Sequence, residues 1–386
     1  MIPYGRQNIS EADIQAVIDV LKSDFLTQGP TVAHFEEAVS SQVGAEYAVA
    51  VSSATAALHI ACLALDVGPE DYVWTTPNTF VASANCARYC GASVDFVDID
   101  PNTYNLCPAR LEEKLRIAKQ SGSLPKVVIP VHFAGLPCDM KAIHALSKQY
   151  GFAIIEDASH AIGATYDGRP IGCCDYSDVT IFSFHPVKII TTGEGGMATT
   201  RSKSLAKRMQ LLRSHGITRV ADEFFGPEDA PWYYEQQSLG FNYRITDIQA
   251  ALGISQLQRL SQWIDQRHQI AQVYDSAFAD LPLILPIRQA ADMRSALHLY
   301  VVQLDSARTP IHRKDAFNSL RSAGIGVNVH YIPVYRQPYF SQFGFKFNDF
   351  PNCENYYTQC ISLPMHPSLS DDDLKKVISD IKSLFA

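Results

Sequence analysis

Short apolar runs alternate with helix-like patterns over the first two hundred residues of the chain. Runs such as YAVAVS, DYVWTTP, FAIIEDAS and DVTIFSF have the length and the β-branched content of buried strands. Between them, segments such as ATAALHIACLAL and DMKAIHALSKQYG have apolar residues at helical spacing. Because this alternation is typical of strands joined by crossover helices, it predicts an α/β fold with a mainly parallel sheet.

The patterns outside this region predict helices near both ends of the chain and a second, smaller domain. SEADIQAVIDVLKS begins with a serine that can cap an amphipathic helix, and the long periodic segment from Thr246 predicts a helix or two leading out of the large unit. LHLYVVQL, RKDAFNSLRSAG and DDDLKKVISDIKSLF then predict a smaller α+β domain. We therefore expect a large domain over residues 1–260 and a small domain over residues 261–386.

Composition narrows the class of protein. The 386 residues are 47% hydrophobic and 19% charged, which is enough to bury a large core, and the net charge of -8 argues against nucleic-acid binding. The first residues lack a secretory pattern, and no apolar run is long enough to span a membrane. The nine cysteines lack CxxC or zinc spacing, so we expect reduced thiols, no metal and a soluble, cytoplasmic protein.

Polar residues follow several of the predicted strands. In an open parallel sheet, ligands bind beyond the carboxyl ends of the strands, so these residues are the candidates for chemistry. YAVAVS leads into Ser53, Ala54 and Thr55 and then directly into a helix. The free N–H groups of such a helix start suit a phosphate, although an ordinary serine or threonine helix cap would have the same sequence.

Two further strands end in groups that can carry charge. FAIIEDAS ends in Glu156 and Asp157, with His160 shortly after. A carboxylate at this position can pair with a protonated ring nitrogen or a metal, or it can cap a helix. DVTIFSF ends in Ser183, and His185 follows it.

Lys188 lies just beyond these residues. A lysine with a depressed pKa can form a Schiff base, but most lysines are solvated surface charges. Three glycines follow in the next eight residues: Gly193, Gly195 and Gly196. They allow positive φ angles and close backbone approach, which favours a functional site at Lys188 over a plain surface loop. The same glycines in GEGGMA match a dinucleotide-binding fingerprint, but TTRSKS after them is a poor helix start, so we reject that alternative.

The order of several motifs is that of one known family. SSATAALH, TTPNTFVASAN, VHFAG, EDASHAIGA, SFHPVKIITTGEGGM, GFNYRITDIQAALG and HYIPVY together resemble the DegT/DnrJ/EryC1/StrS family of sugar aminotransferases, over nearly the whole chain. The resemblance implies a fold type I pyridoxal 5′-phosphate (PLP)-dependent transferase, whose large domain has a mainly parallel, seven-stranded mixed sheet. LTQGP, SSATAAL and SHAIGA are most similar to the members that act in pseudaminic acid synthesis.

The resemblance implies a role for each residue near the ring of PLP. Lys188 would bind the cofactor covalently and later move a proton to and from the sugar C4. Asp157 would face the pyridine nitrogen and keep it protonated, so that the ring can accept electrons. Phe80 would stack on the ring, and His160 would lie near its 3-hydroxyl.

The resemblance also implies how the phosphate is held. Ser53, the backbone at Ala54 and Thr55, and the hydroxyls of Thr55 and Ser183 would bind it within one subunit. Asn242 would reach the phosphate of the neighbouring subunit, which makes a homodimer part of the site. From the residues alone, a turn residue is the favoured explanation of Asn242 in GFNYR.

The substrate would be a nucleotide sugar lying between the N-terminus, an early loop and a C-terminal segment. The residues that the resemblance assigns to it are Tyr4, Asp24, Phe25, Leu26, Thr27, His185, His330, Tyr331, Ile332 and Pro333. Arg213 and His215 could supply positive charge or be structural, and no role follows for Glu194.

The expected reaction moves an amino group from an amino acid, L-glutamate being the expected donor, to C4 of a UDP-linked 4-keto-6-deoxy-N-acetylhexosamine. Two alternatives stay open: a dTDP- or GDP-linked keto-sugar as the acceptor, and a regulator that binds PLP without turnover. Family members with histidine in place of the lysine carry out dehydration. The presence of Lys188 favours amino transfer.

Overall fold

The computed structural model describes residues 1–227, 230–290 and 292–386. Its α-helices are α1 (Glu11–Leu21), α2 (Pro30–Val43), α3 (Ala54–Ala64), α4 (Ala82–Tyr89), α5 (Pro108–Ser121), α6 (Met140–Tyr150), α7 (Lys203–Arg213), α8 (Asp247–Leu257), α9 (Leu260–Phe278), α10 (Arg313–Ser322), α11 (Pro338–Ser341), α12 (Pro351–Gln359) and α13 (Asp371–Ser383). Short 3-10 turns span Phe133–Gly135, Ala221–Glu223 and Val334–Arg336.

The strands belong to four sheets. They are β1 (Tyr47–Val51), β2 (Tyr72–Thr75), β3 (Ser93–Phe96), β4 (Val127–Ile129), β5 (Ala153–Asp157), β6 (Thr165–Tyr166), β7 (Arg169–Pro170), β8 (Val179–Ser183), β9 (Gly196–Thr200), β10 (Ile217–Thr218), β11 (Glu235–Gln236), β12 (Leu283–Ile284), β13 (Gln289–Ala290), β14 (Met293–Arg294), β15 (Tyr300–Leu304) and β16 (Cys360–Leu363).

The largest sheet has seven strands in the order β1-β9-β8-β5-β4-β2-β3. Only β9 runs against its neighbours in this sheet; the other six strands share one direction. The mainly parallel, seven-stranded mixed sheet that the resemblance implies is therefore confirmed. Its strands read as continuous apolar runs because helices cover both faces and leave neither face in water.

Two apolar cores lie against this sheet, and a third lies in the C-terminal part of the chain. Helices α3 and α4 pack in one core, together with C-terminal residues such as Val334 and Tyr356. Helices α2, α5 and α6 pack in the second core. In the third core, α10 and α13 pack with the antiparallel sheet β12-β15-β16.

Helix α9 joins the second core to the third. Its first turns bury Leu260, Trp263 and Ile264 in the second core, and its later turns bury Tyr274 and Phe278 in the third. The periodic segment from Thr246 thus forms two helices, α8 and α9. The division into domains at residues 260 and 261 stays a prediction.

No helix in the described ranges is both long and apolar enough to cross a membrane. The nine cysteines are all free thiols, seven of them buried.

Gly196 begins β9 where this strand passes the start of α3. A Cβ atom at this position would lie 2.4 Å from the carbonyl carbon of Ser53 and 2.5 Å from the amide nitrogen of Ala54. Both contacts are backbone atoms, so no side-chain rotation could relieve them. The glycine therefore lets the strand lie directly against the N-terminus of the helix.

We expect Gly196→Ala to lower the free energy of unfolding by about 1–3 kcal/mol, because the start of α3 must move to accept the methyl group. Gly68→Ala is the matched control, since a Cβ there meets no atom closer than 4.0 Å and the backbone φ is not positive. Denaturant unfolding of the two variants tests this. Equal stabilities would mean that the close approach at Gly196 carries no constraint.

Candidate active site

A cavity of about 720 Å³ opens at the carboxyl-terminal edge of the large sheet. Residues from the N-terminus, the strand ends and the C-terminal part of the chain contribute to its wall. The predicted site residues that line it are Tyr4, Ser53, Ala54, Thr55, Phe80, Asp157, His160, Ser183, His185, Lys188, His330 and Tyr331. The structure thus brings together residues that are up to 327 positions apart in the chain.

The N-terminus of α3 forms one end of the cavity. The Ser53 hydroxyl accepts a hydrogen bond from the Ala56 N–H at 3.1 Å, so Ser53 is a helix cap. The N–H groups of Ala54 and Thr55 have no hydrogen-bond partner within the described chain. Unpaired donors at the positive end of a helix suit an anionic group such as a phosphate.

The two neighbouring carboxylates at the end of β5 lie on opposite faces of the sheet. Asp157 lines the cavity, whereas Glu156 faces the other side of the sheet, because successive side chains of a strand alternate. There Glu156 accepts a hydrogen bond from His132 Nε2 at 2.7 Å and another from Thr180 at 3.0 Å. Only Asp157 is therefore available to a ligand in the cavity.

Asp157 is buried but remains a hydrogen-bond acceptor on both oxygens. Its Oδ2 accepts from the Ser83 hydroxyl at 2.6 Å, and its Oδ1 accepts from the Ser159 N–H at 3.1 Å. These two donors hold the Asp157 carboxyl group in a defined orientation at the cavity wall.

Lys188 follows β8 and is partly exposed to the cavity. Its amine makes no hydrogen bond or ion pair with any residue that the structure describes. Desolvation lowers the pKa of Lys188 to about 8, although the charge of Asp157 acts in the opposite direction. The unprotonated fraction of the amine near neutral pH is therefore larger than for an ordinary lysine, which favours a nucleophilic role.

Three buried histidines surround this lysine. Burial lowers the pKa values of His160 and His298 far below the ordinary histidine value, and burial together with Lys188 lowers that of His330 to about 3. His160 is 3.1 Å from the Tyr331 hydroxyl through Nε2, while its Nδ1 is buried without a partner. All three rings are neutral at pH 7 and add no charge to the site.

The turn after Lys188 is held against β8. The Thr191 hydroxyl donates to the Phe184 carbonyl at 2.9 Å and accepts from the Gly193 N–H at 2.9 Å. Gly193 has a φ of 82°, a conformation that glycine adopts without strain. The residues before the glycines form no strand here, so the dinucleotide alternative lacks its required strand.

Comparison with known proteins identifies the family. The model of the DegT/DnrJ/EryC1/StrS aminotransferase family matches residues 7–382. The chain belongs to this family. It is a PLP-dependent sugar aminotransferase, and the fold type I architecture expected from the sequence is confirmed.

Several relatives of the DegT family cover the chain from end to end. The spore coat polysaccharide biosynthesis protein SpsC of Bacillus subtilis is 41% identical over 99% of this chain and 97% of its own length. A UDP-4-amino-4,6-dideoxy-N-acetyl-beta-L-altrosamine transaminase of Campylobacter jejuni is 38% identical over 100% and 97%. Among solved structures, Helicobacter pylori PseC, an aminotransferase of pseudaminic acid biosynthesis, superposes with a TM-score of 0.89 at 30% identity, covering 100% of this chain and 99% of its own.

The cavity residues fit the cofactor of the DegT family. The unpaired N–H groups at the start of α3 and the Ser183 hydroxyl could hold its phosphate, and Asp157 could hold its ring nitrogen. The Nδ1 atom of His160 is buried without a hydrogen-bond partner, and the amine of Lys188 has no partner among the described residues. A bound cofactor could supply a partner for each group. Within the described ranges, no cluster of metal-binding side chains competes with this assignment.

Some residues assigned by resemblance lie outside the cavity of the single chain. The exposed loop Asp24, Phe25, Leu26 and Thr27 lies beside the start of α8, where the Asp247 N–H donates to the Leu26 carbonyl at 3.0 Å. Asn242 is exposed and forms a bridge with Ser214. Ile332 and Pro333 do not contribute to the cavity wall either. Their substrate or cofactor roles stay predictions.

The structure shows the surroundings of the three residues to which no definite role was assigned, Arg213, Glu194 and His215. Arg213 is paired with Glu36 at 2.5 Å and donates to the Ala50 carbonyl at 2.7 Å, which indicates a structural role. Glu194 lines the cavity with an exposed side chain. His215 is exposed and has a φ of 61°.

The sequence analysis assigned no role to several polar residues of the cavity region, among them Ser52, Thr79, Ser83, Ser159, His298 and Asn328. The strand-end rule, applied to β2 as it was to β5, would have drawn attention to Thr79 in TTPNTFVAS. No local pattern indicates His298, which precedes β15 in another sheet.

We expect the amine of Lys188 in the cofactor-free protein to react with acetic anhydride with a midpoint near pH 8, because desolvation depresses its pKa to about 8. Peptide mass spectrometry across a pH series would measure this, with the exposed Lys375 in the same sample as reference. Asp157→Asn should shift the midpoint to lower pH, since the Asp157 charge raises the pKa of Lys188. A midpoint near the ordinary lysine value of about 10.4 would contradict desolvation.

Proposed function

We propose that this enzyme transfers an amino group from L-glutamate to C4 of a UDP-linked 4-keto-6-deoxy-N-acetylhexosamine. The observation that carries the proposal is the full-length similarity to the Campylobacter jejuni transaminase, whose name specifies a UDP-linked 4-amino-4,6-dideoxy-N-acetyl sugar. The similarity to Helicobacter pylori PseC over the whole chain supports it.

In this proposal, Lys188 is the catalytic residue. Bound PLP supplies an electron sink that stabilises negative charge next to the reacting carbon. Lys188 would hold the cofactor covalently and would move a proton at the substrate carbon, for which an amine with a pKa of about 8 is well matched to neutral pH. Asp157 keeps the ring nitrogen protonated by offering it a carboxylate oxygen.

Neighbouring residues hold the cofactor and the substrate. The N–H groups of Ala54 and Thr55 bind the phosphate, and Phe80, which is 60% exposed in the single chain, has an open ring face for stacking. His160 donates or accepts at the 3-hydroxyl as a neutral ring. Tyr4 lies with its ring centroid 5.4 Å from that of His330 and forms the sugar side of the cavity with it.

A second acceptor is supported by a separate observation. The Bacillus subtilis relative is more similar to this chain, at 41% identity, than the altrosamine transaminase, at 38%, and its name refers to a spore coat polysaccharide. Because that name specifies no UDP-linked sugar, the dTDP- or GDP-linked keto-sugar of the sequence analysis is the alternative acceptor. The catalytic roles of Lys188 and Asp157 would be the same for either acceptor.

We expect the holoenzyme to convert a UDP-linked 4-keto-6-deoxy-N-acetylhexosamine to its 4-amino product with glutamate as the donor, and Lys188→Ala to lose at least about a thousandfold of this rate because no other amine can replace it. Mass spectrometry of the sugar nucleotide and detection of 2-oxoglutarate measure the two products. Lys375→Ala, on the exposed surface of α13, is the control.

A parallel panel of dTDP- and GDP-linked 4-keto sugars separates the two acceptors. Turnover of a dTDP sugar but not of the UDP-N-acetyl sugar would overturn the preferred substrate. Release of 2-oxoglutarate without any acceptor product would support the amino-transfer class and leave both acceptors rejected.

We also propose that the active unit is a homodimer in which Asn242 reaches the phosphate site of the partner subunit. Phe225, Trp232 and Leu239, close to Asn242 in the sequence, are 85%, 78% and 80% exposed in the single chain. Exposed apolar side chains of this size mark an interaction surface. We assign the exposed loop with Phe25 and Leu26 to the same interface.

The cytoplasmic location expected from the sequence stays a prediction.

A subunit-mixing experiment tests the shared site. Lys188→Ala and Asn242→Ala should each be poorly active, but a mixed dimer has one site with both native residues. Equal mixing after mild dissociation should therefore restore about a quarter of the wild-type activity, as two-fold symmetry requires. If Asn242 acts within its own subunit, mixing restores nothing beyond the sum of the two variants.

A further inference from the structure

A buried hydroxyl contacts the carboxylate of the active site. Ser83 lies in the first turn of α4, fully shielded from solvent, and its Oγ is 2.6 Å from Oδ2 of Asp157. Residues 83 and 157 belong to different elements and are 74 positions apart. The contact therefore depends on how α4 packs against the end of β5.

The chemistry of the two groups determines which one donates. An ionised carboxylate can only accept, so the single hydroxyl proton of Ser83 is directed to Asp157. Ser83 Oγ is also 2.8 Å from Thr79 Oγ1. Because the Ser83 proton is already used, the Thr79 hydroxyl is the donor in that second contact.

The result is a directed chain of hydrogen bonds from Thr79 through Ser83 to Asp157. Thr79 is 2% exposed and lines the cavity, so the chain begins and ends at the cavity wall. A hydroxyl that receives a hydrogen bond is a stronger donor to the next group. The Ser159 N–H contact at 3.1 Å fixes the other carboxylate oxygen.

We propose that Thr79 and Ser83 are positioning residues that keep Asp157 ionised and oriented toward the ring nitrogen of the cofactor. The inference rests on the role proposed for Asp157. Protonation of Asp157 would weaken the hydrogen bond from Ser83, because a neutral carboxyl oxygen is a weaker acceptor than a carboxylate oxygen. The hydroxyl chain thus opposes transfer of the ring proton to Asp157.

Helix capping does not account for the contact. Helix α4 has no side-chain cap at its N-terminus, and Ser83 reaches the nearest backbone carbonyl, that of Phe80, only at 3.5 Å. The shortest contact of Ser83 is the one to Asp157.

A matched control is available at Glu156, whose side chain lies on the other face of β5. Ser177 donates its hydroxyl to Glu156, the buried carboxylate next to Asp157 in the sequence. Ser177→Ala therefore removes the same kind of hydrogen bond from a carboxylate that does not face the cavity. Thr79→Val and Thr79→Ser form a second pair, because the first removes the hydroxyl at nearly constant volume and the second keeps it.

The experiment compares Ser83→Ala with Ser177→Ala as holoenzymes. It measures the dissociation constant of PLP, by loss of the bound absorbance on dialysis, together with kcat and KM for glutamate in the first half of the reaction. Ser83→Ala should lower kcat about tenfold and weaken PLP binding severalfold with little change in KM, as expected for losing a hydrogen bond to a charged group. Ser177→Ala should leave all three values within about twofold, because Glu156 faces away from the cavity.

The Thr79 pair keeps the test decisive if Ser83→Ala does not fold. Thr79→Val should lower kcat by a smaller factor than Ser83→Ala, and Thr79→Ser should restore it. Wild-type kcat and PLP affinity in both Ser83→Ala and Thr79→Val would overturn the proposal. Equal losses in Ser83→Ala and Ser177→Ala would also overturn it, since they would reflect general destabilisation.

Asp157→Asn separates this inference from the proposed function. If Asp157→Asn loses PLP affinity and rate while Ser83→Ala and Thr79→Val do not, the hydroxyl chain has no role but Asp157 keeps its own. If Asp157→Asn behaves as wild type, the role of Asp157 fails and the inference fails with it. Neither readout depends on which sugar is the acceptor.

Discussion

The desolvation of one amine is the constraint on which the rest of the site depends. Lys188 has no hydrogen-bond or ion-pair partner in the described chain, and its pKa falls to about 8 because the surrounding cavity wall excludes water. Holding an amine in this state costs folding free energy, which the large apolar cores on both faces of the sheet offset. The same desolvation keeps His160, His298 and His330 neutral. Three neutral rings therefore lie in the same cavity as the amine of Lys188 and the carboxylate of Asp157.

Glu156 and Asp157 are adjacent in β5 but point to opposite faces of the sheet, so their surroundings differ. Glu156 is saturated by hydrogen bonds from His132, Ser177 and Thr180, and it stabilises the far side of β5. Asp157 receives one donor on each oxygen and keeps acceptor capacity on the side of the cavity. Alternation along a strand is sufficient to separate a structural carboxylate from a functional one.

Several local patterns indicated which residues lie at one edge of the sheet, because these patterns report where strands end. Apolar runs bounded by polar residues mark the ends of β1, β5 and β8, and parallel topology brings those ends to one edge. The groups at Thr55, Asp157 and Lys188 could therefore be predicted to lie close together without coordinates. Their assignment to a cofactor came from the resemblance to a family. The comparison with known proteins confirmed the family, and the roles of the individual residues stay predictions.

The sequence by itself determined the fold class, the strand ends and the residue types available at them, since these depend on hydrophobic periodicity and on short-range turn chemistry. Tertiary structure decided which of those residues face a common cavity. Ser83 meets Asp157 only because α4 docks against β5, and His298 reaches Lys188 from a separate sheet. The shift in the pKa of Lys188 likewise arises from burial by residues distant in the chain. Packing between distant segments is a property of the whole fold, so no local pattern records it.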